Sequence, residues 1–496
     1  MRVIELLKAI RSAGGAVRTR GLPDQTIERF AAGDPLLVEA VEAAQAQFDL
    51  LRAEFPDLIE MGEVEQVAAI QAGFVNFYSD DTVNPYVALA ARGPWLVTTM
   101  GAVLHDSGGY GMLGFGHVPA LVLDAMDGDQ VMANVMTASF SQLRMIESLR
   151  AEIGRNRDGG CPFQRFLALN SGSESVSIAA RIADVNAKLM TDSGSRHSGK
   201  ALKKMSLESG FHGRTDRPAQ FSDSSHPAYR AHLASFRNRD DLLTVRPNDL
   251  DHLRKVFADV DTDNVFIEAL FMEPVMGEGN PGMAITPEFY ALARELTEAH
   301  GTLLLIDSIQ AGLRTTGNLS IVDYPGFEDL PAPDMETYSK ALNAGQFPLS
   351  VLAMNERAAG LYRKGIYGNT MSANPRGMDV GVAVLELVTD EVRANIVARG
   401  QEFLDKLNAL KDEMGGAITK VQGTGLLLSC ELDPAYKAYG VDSAEEYMRL
   451  NGIGVIHGGE NSLRFTPHFH VTSEEVDLIV AQLRDAVLHG PKRAAA

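Results

Sequence analysis

The most constraining features of this chain are two short, near-continuous apolar runs, VFIEALFMEP at residues 265–274 and GTLLLID at 301–307. Such runs read as strands buried on both faces of a parallel sheet, because a sheet with one wet face would alternate apolar and polar residues. Between them PEFYALARELTEAH carries its apolar residues at helical spacing, and RFLAL, METYSK and LSVLAM add further short runs. Strands alternating with helices predict an α/β fold whose sheet is covered on both sides. Asp307 ends its strand, where such sheets place ligand chemistry.

A chain of 496 residues exceeds one simple core, and about 150 residues per domain suggests two or three lobes. With 45% hydrophobic residues, 22% charged and 46 glycines, it reads as an ordinary soluble enzyme, neither disordered nor fibrous. A formal charge of -20 repels phosphate backbones and anionic membranes, which argues against nucleic acid and membrane partners. Cys161 and Cys430 form no disulfide framework and no metal-ligand spacing, which suits a reducing compartment. No apolar run approaches the roughly 18 residues of a membrane span, so a cytoplasmic location is expected. The opening MRVIELLKAIRSAGGAVRTR has five basic residues against one acid; it faintly resembles a transit peptide, although VIELLKAI is equally a plain amphipathic helix.

Along the chain, residues 1–95 read as a helical extension and part of a small domain, 96–375 as the strand–helix domain, and 376–496 as a C-terminal small domain. In the last, GIGVIH, a Gly458-Gly459 turn and SLRFTPHF read as a hairpin, and Thr472 with Glu475 as a capping box for EEVDLIVAQLRDAV.

Several motifs compete for the chemistry. GYGMLG at 109–114 matches the dinucleotide fingerprint, yet no clear strand precedes it and the acids Asp124 and Asp127 come too early for the ribose position. His468 and His470 in PHFH share a face if the strand continues, but no third ligand is evident, so no metal is expected. NSGSES sets Ser171, Gly172 and Ser173 between a buried strand and a helix, where the N-terminus favours an anion such as phosphate; a simple N-cap, with Ser173 capping its own helix, is the alternative. Lys340 ends a strand 33 residues after Asp307, where desolvation lowers an amine's pKa and frees it to attack a carbonyl. A phosphate cradle, a nucleophilic lysine and a carboxylate for a ring nitrogen together describe a pyridoxal phosphate site.

From about residue 97 onward the chain resembles the class III aminotransferases of the ornithine, 4-aminobutyrate and ω-amino acid type. FGHVPALVLDAM, LNSGSESVSIAARIA, FHGRT, EPVMGEG, LLLIDSIQAG, YSKALNAGQFPLS, NTMSANP and SLRFTP occur in the family's order. The resemblance implies a fold-type I α/β transferase, with a large, mainly parallel domain covered by helices and a small α+β domain from the N- and C-terminal segments. Two positions depart from the family: Ser308 stands where Glu usually follows the aspartate, and Thr315 where an Arg is usual.

What the resemblance implies for single residues is as follows. Lys340 and Asp307 are catalytic, Lys340 bonding the cofactor and moving a proton, Asp307 keeping the pyridine nitrogen protonated. Gln310 bonds the ring hydroxyl, Phe211 stacks on the ring, and Ser171, Gly172 and Ser173 bind the phosphate. His212 beside Phe211 reads as a supporting residue. Thr370 reaches the phosphate of the neighbouring subunit, so a homodimer is expected. Arg464 grips a substrate carboxylate, Glu278 neutralises that arginine when an ω-amino group is bound, and Glu273 supports them. The expected activity is ping-pong transfer of an amino group from a primary amine, diamine or ω-amino acid to 2-oxoglutarate or pyruvate. Racemisation, decarboxylation or a non-catalytic role on the same fold are the alternatives.

Overall fold

The computed structural model describes residues 2–12 and 14–493. They divide into two compact units, residues 121–397 and residues 1–120 with 398–496.

The first unit is built on a seven-stranded sheet. Its strands lie in the order Arg165–Leu169, Ser350–Met354, Met335–Tyr338, Leu303–Asp307, Val265–Met272, Ala201–Leu207, Leu242–Val245. Only Ser350–Met354 runs antiparallel to its neighbours; the other pairings are parallel. Val265–Met272 is buried at every position and so is Leu303–Asp307, which explains the unbroken apolar runs: both faces are covered. The helix Gly172–Thr191 packs on one face through Val176, Ala179, Ala180 and Ala183, against Leu169, Phe271, Leu305 and Leu352. Its small residues bring it close to the sheet, and each large side chain buried there contributes about 1.5–3 kcal/mol. Helix Pro287–His300 is delimited as its sequence dictates. Thr286 caps its start by accepting from Phe289 N at 3.2 Å, Pro287 fixes the first turn, and Gly301 ends it at φ 87°.

The second unit holds two four-stranded sheets. One joins Ala88–Arg92, Trp95–Thr98, Val103–Asp106 and Ile453–Gly454; the other joins Ile418–Thr424, Leu427–Leu432, Ser462–Phe465 and Ile456–His457. Helix Arg2–Arg11 buries Val3, Ile4, Leu7 and Ile10, as an amphipathic helix does. The expected hairpin is present, with Ile456 and His457 paired antiparallel to Arg464 and Leu463. So is the capping box of Thr472 and Glu475.

Three expectations need correction. Ala88–Arg92, inside the stretch read as helical, is a strand: antiparallel pairing with Trp95–Thr98 overrides the helix preference of its alanines. A strand, Val103–Asp106, does precede the glycines of GYGMLG, but it pairs antiparallel with Trp95–Thr98 and its parallel partner, Ile453–Gly454, lies near the other end of the chain, so it opens no dinucleotide-binding unit. The last hairpin strand stops at Phe465, so His468 and His470 share no strand face. His468 is buried 3.0 Å from Glu475 Oε1, which also lies 3.0 Å from His105 Nε2, while His470 is exposed. Among the described residues no helix is long and apolar enough to cross a membrane.

Candidate active site

Strand ends and the loops that follow them converge, within the 121–397 unit, on a cavity of about 200 Å³. Ser171, Gly172, Ser173, Phe211, His212, Gly213, Glu273, Gly277, Glu278, Asp307, Ile309, Gln310, Ser339 and Lys340 line it. Brought together there are Lys340, Asp307, Gln310, Phe211, Ser171, Gly172, Ser173, Glu273 and Glu278, all singled out in the sequence.

Asp307 is 4% exposed, and its carboxylate is held from three sides. Oδ2 faces His212 Nδ1 at 2.8 Å, and Oδ1 accepts from Thr337 Oγ1 and from Ile309 N, each at 3.2 Å. Lys340 follows the strand Met335–Tyr338 at the start of a short 3-10 turn, with a left-handed backbone at φ 47°. Its Nζ donates to Gln310 Oε1.

Glu273 is buried, accepting from Phe211 N at 3.0 Å and Gly277 N at 2.8 Å. Burial pushes its pKa up to about 7, with the imidazole of His212 pulling the other way. At the mouth Glu278 is half-buried, 3.9 Å from the Arg214 guanidinium, which lies over the Phe211 ring at 5.3 Å from its centroid.

The opposite wall is the N-terminus of helix Gly172–Thr191. Ser171 caps it, its Oγ accepting from Glu174 N at 3.3 Å, so the positive end of a 20-residue helix faces the cavity. The glycines there sit in close approach to their neighbours. A Cβ on Gly172 would fall 2.6 Å from Ile309 Cδ1, and one on Gly213 2.5 Å from Ser173 Oγ. Two wall atoms, Gln310 Nε2 and His212 Nε2, are buried without a hydrogen-bond partner. The set fits pyridoxal phosphate: an anion site at a helix end, a fixed carboxylate, a side-chain amide and a lysine.

Thr370 is not among the lining residues; it is exposed, its carbonyl accepting from Asn134 Nδ2 at 3.2 Å. Arg464 belongs to the other unit, where it is 5% exposed on strand Ser462–Phe465 in register with Ser429 and Ile456. His212, read in the sequence as a supporting residue beside Phe211, is the direct partner of Asp307.

Comparison with known proteins agrees with this geometry. The Aminotransferase class-III family model matches residues 77–487. Succinylornithine transaminase from Citrobacter koseri is 30% identical over 318 residues, 63% of this chain and 71% of that protein. The structure superposes on the ornithine aminotransferase of Toxoplasma gondii with a TM-score of 0.72, at 22% identity over 88% of this chain and 98% of that one. It superposes on the acetylornithine aminotransferase of Elizabethkingia anophelis with a TM-score of 0.68, at 22% identity over 86% and 99%. The chain belongs to the class-III aminotransferase family. It is an enzyme with the fold-type I α/β architecture, uses pyridoxal phosphate, and transfers an amino group from an amine donor to an oxo acid.

Proposed function

We propose that the protein is a cytoplasmic, homodimeric ω-aminotransferase that takes the terminal amino group of a diamine, ω-amino acid or other primary amine and delivers it to 2-oxoglutarate or pyruvate. The observation that carries the reading is the meeting of Lys340, Gln310, Asp307 and the helix N-terminus at Gly172 in one cavity. Relatives whose names specify ornithine or its acyl derivatives support a donor with its reactive amine at the end of a side chain.

Pyridoxal phosphate, when bound, supplies a reactive aldehyde carbon and an electron-withdrawing ring; everything else falls to the chain. Lys340 holds the cofactor through Nζ and, when released, carries the proton to and from the substrate carbon that bears nitrogen. Asp307 keeps a proton on the ring nitrogen: opposite charges about 4 Å apart attract by up to ~4 kcal/mol at an effective dielectric near 20, before desolvation is subtracted. His212 holds that carboxylate in its orientation. Gln310 presents its amide to the ring oxygen, Phe211 covers one ring face, and Ser171, Gly172 and Ser173 bind phosphate at the helix end.

Arg464 receives a substrate carboxylate, and Glu278 neutralises that arginine when an ω-amino group is bound; Glu273 fixes the Phe211 and Gly277 backbone. Thr370 serves the partner's phosphate. Its neighbourhood supports a dimer: Asn134, which bonds it, lies in a segment whose Val131, Met132, Val135, Met136 and Phe140 are all exposed. Exposed apolar clusters of this kind mark interaction surfaces.

The test is an absorption titration of the protein with pyridoxal phosphate, wild type beside Lys340→Ala, followed by ω-amino acids and diamines. A lysine-dependent visible band that an amine bleaches and a 2-oxo acid restores is the expected result. A band that forms but never cycles would transfer the argument to racemisation or decarboxylation, and no lysine-dependent band would overturn the assignment of Lys340.

A further inference from the structure

One buried acid beneath this cavity has no part in the chemistry above. Glu336 sits in the strand Met335–Tyr338 with no exposure, its Cα in register with Ile306 and one step from the Asp307–Thr337 pair. Its carboxylate collects three donors: Ser308 Oγ at 2.6 Å and Ile321 N at 2.9 Å on Oε1, and Ser320 Oγ at 2.5 Å on Oε2. All three come from the segment that leaves the sheet directly after Asp307 and carries Gln310. Family members usually carry a carboxylate at the position of Ser308; here a serine hydroxyl occupies it and reaches a carboxylate on the adjacent strand.

We propose that Glu336 is a positioning residue for this active site, acting through Ser308 to fix the turn that presents Asp307 and Gln310 to the cofactor. The inference rests on the cofactor-binding roles assigned above to Asp307, Gln310 and Lys340. Burial raises the pKa of Glu336 to about 7, with the hydroxyls of Ser308 and Ser320 and the Ile321 N–H holding it down. Below that value it is an acid that competes with Ser308 for a donor role; above it, it is an anion that accepts from all three groups. The titratable groups that feel its charge are Tyr290, Tyr324, Tyr338 and Cys161, each kept neutral by burial. Arg314, in the same segment, is fully buried.

The experiment is a double-mutant cycle on cofactor binding: wild type, S308A, E336Q and S308A/E336Q, each titrated as apoprotein with pyridoxal phosphate from pH 6 to 8.5, with the apoprotein Tm measured alongside. Loss of one charge-assisted hydrogen bond predicts a Kd about tenfold higher for either single variant. Losing the anion predicts a pH midpoint of the visible band lower by roughly half a unit. Because both act through one contact, the double variant should bind no more weakly than E336Q. Effects that multiply in the double variant, or an E336Q protein with lowered Tm but wild-type Kd and midpoint, overturn the proposal. Should E336Q not fold, S308A alone decides, and an unchanged Kd refutes it. A wild type lacking any Lys340-dependent band would instead sink the reading on which this one rests.

Discussion

Gly277→Ala tests the cavity wall most directly. Gly277 closes over the cavity between Glu273 and Glu278, and a Cβ there falls 2.3 Å from Gln310 Cγ and 2.7 Å from Gln310 Cβ. Non-bonded carbons rest about 3.5–4.0 Å apart, so Gln310 must retreat by more than about 1 Å. Its Oε1 then leaves Lys340 Nζ. Swinging the side chain moves Cγ but not Cβ, which is tied to the backbone, so the overpacking cost of about 1–3 kcal/mol falls on folding as well as on binding. With cofactor in place the room that apoprotein offers the displaced amide is gone, and even about 1 kcal/mol in the binding step raises Kd for pyridoxal phosphate roughly fivefold. Absorption titration of apoprotein measures the Kd and calorimetry the Tm, which should fall as well. A Kd within twofold of wild type would refute the argument that Gly277 is needed to seat Gln310.

Glu273 and the exposed segment give two further tests. Burial raises Glu273 from 4.5 to about 7, so between those values folded protein keeps a proton the unfolded chain has released, and stability falls as pH rises through that window by roughly 3 kcal/mol. Glu336 is displaced by the same cause, so E273Q should halve the combined loss between pH 5 and 7.5 in denaturant unfolding of apoprotein; a slope equal to wild type would show that Glu273 is not desolvated. Met136→Lys with Phe140→Lys places two cations in the apolar segment beside Asn134, and should convert a dimer to monomer in sedimentation and weaken cofactor retention at least tenfold. A double variant that stays dimeric would move the interface elsewhere.

The parts of the site legible in the sequence are those fixed by position along a strand. Asp307 and Lys340 each follow a buried run, and a strand end in a parallel sheet is a ligand position whatever the neighbours are. The helix start after RFLAL was legible too, although its cap is Ser171 and not Ser173. What could not be read was contact between segments distant in the chain. His212 meets Asp307 across 95 residues, and Ser308 meets Glu336 across 28; both depend on strand order, which no local pattern carries. Composition misled at ALAAR, whose helix-favouring residues lie in a strand because Trp95–Thr98 pairs with it. Periodicity misled at PHFH, where the ladder ends at Phe465 and the next residues turn His468 inward and His470 outward.

The backbone of Lys340 shows why such a site needs more than its side chains. A non-glycine residue at φ 47° carries strain of order 1–3 kcal/mol, which persists only where its surroundings over-determine it. They do so on both sides. Before Lys340, strand Met335–Tyr338 is fully buried between two partners, and Ser339 Oγ donates to Leu349 O at 2.8 Å. After it, Ala341, Leu342 and Ala344 are buried and Asn343 Nδ2 donates to the same Leu349 carbonyl at 2.9 Å. A lysine on relaxed backbone would lose up to about 2 kcal/mol of side-chain entropy each time it was drawn to a cofactor. Here the direction of the chain at Lys340, and with it the reach of Nζ to Gln310, is fixed during folding. The ordering cost is then carried by the core of the sheet and not by the binding step, the sense in which a preorganised lysine favours the reaction.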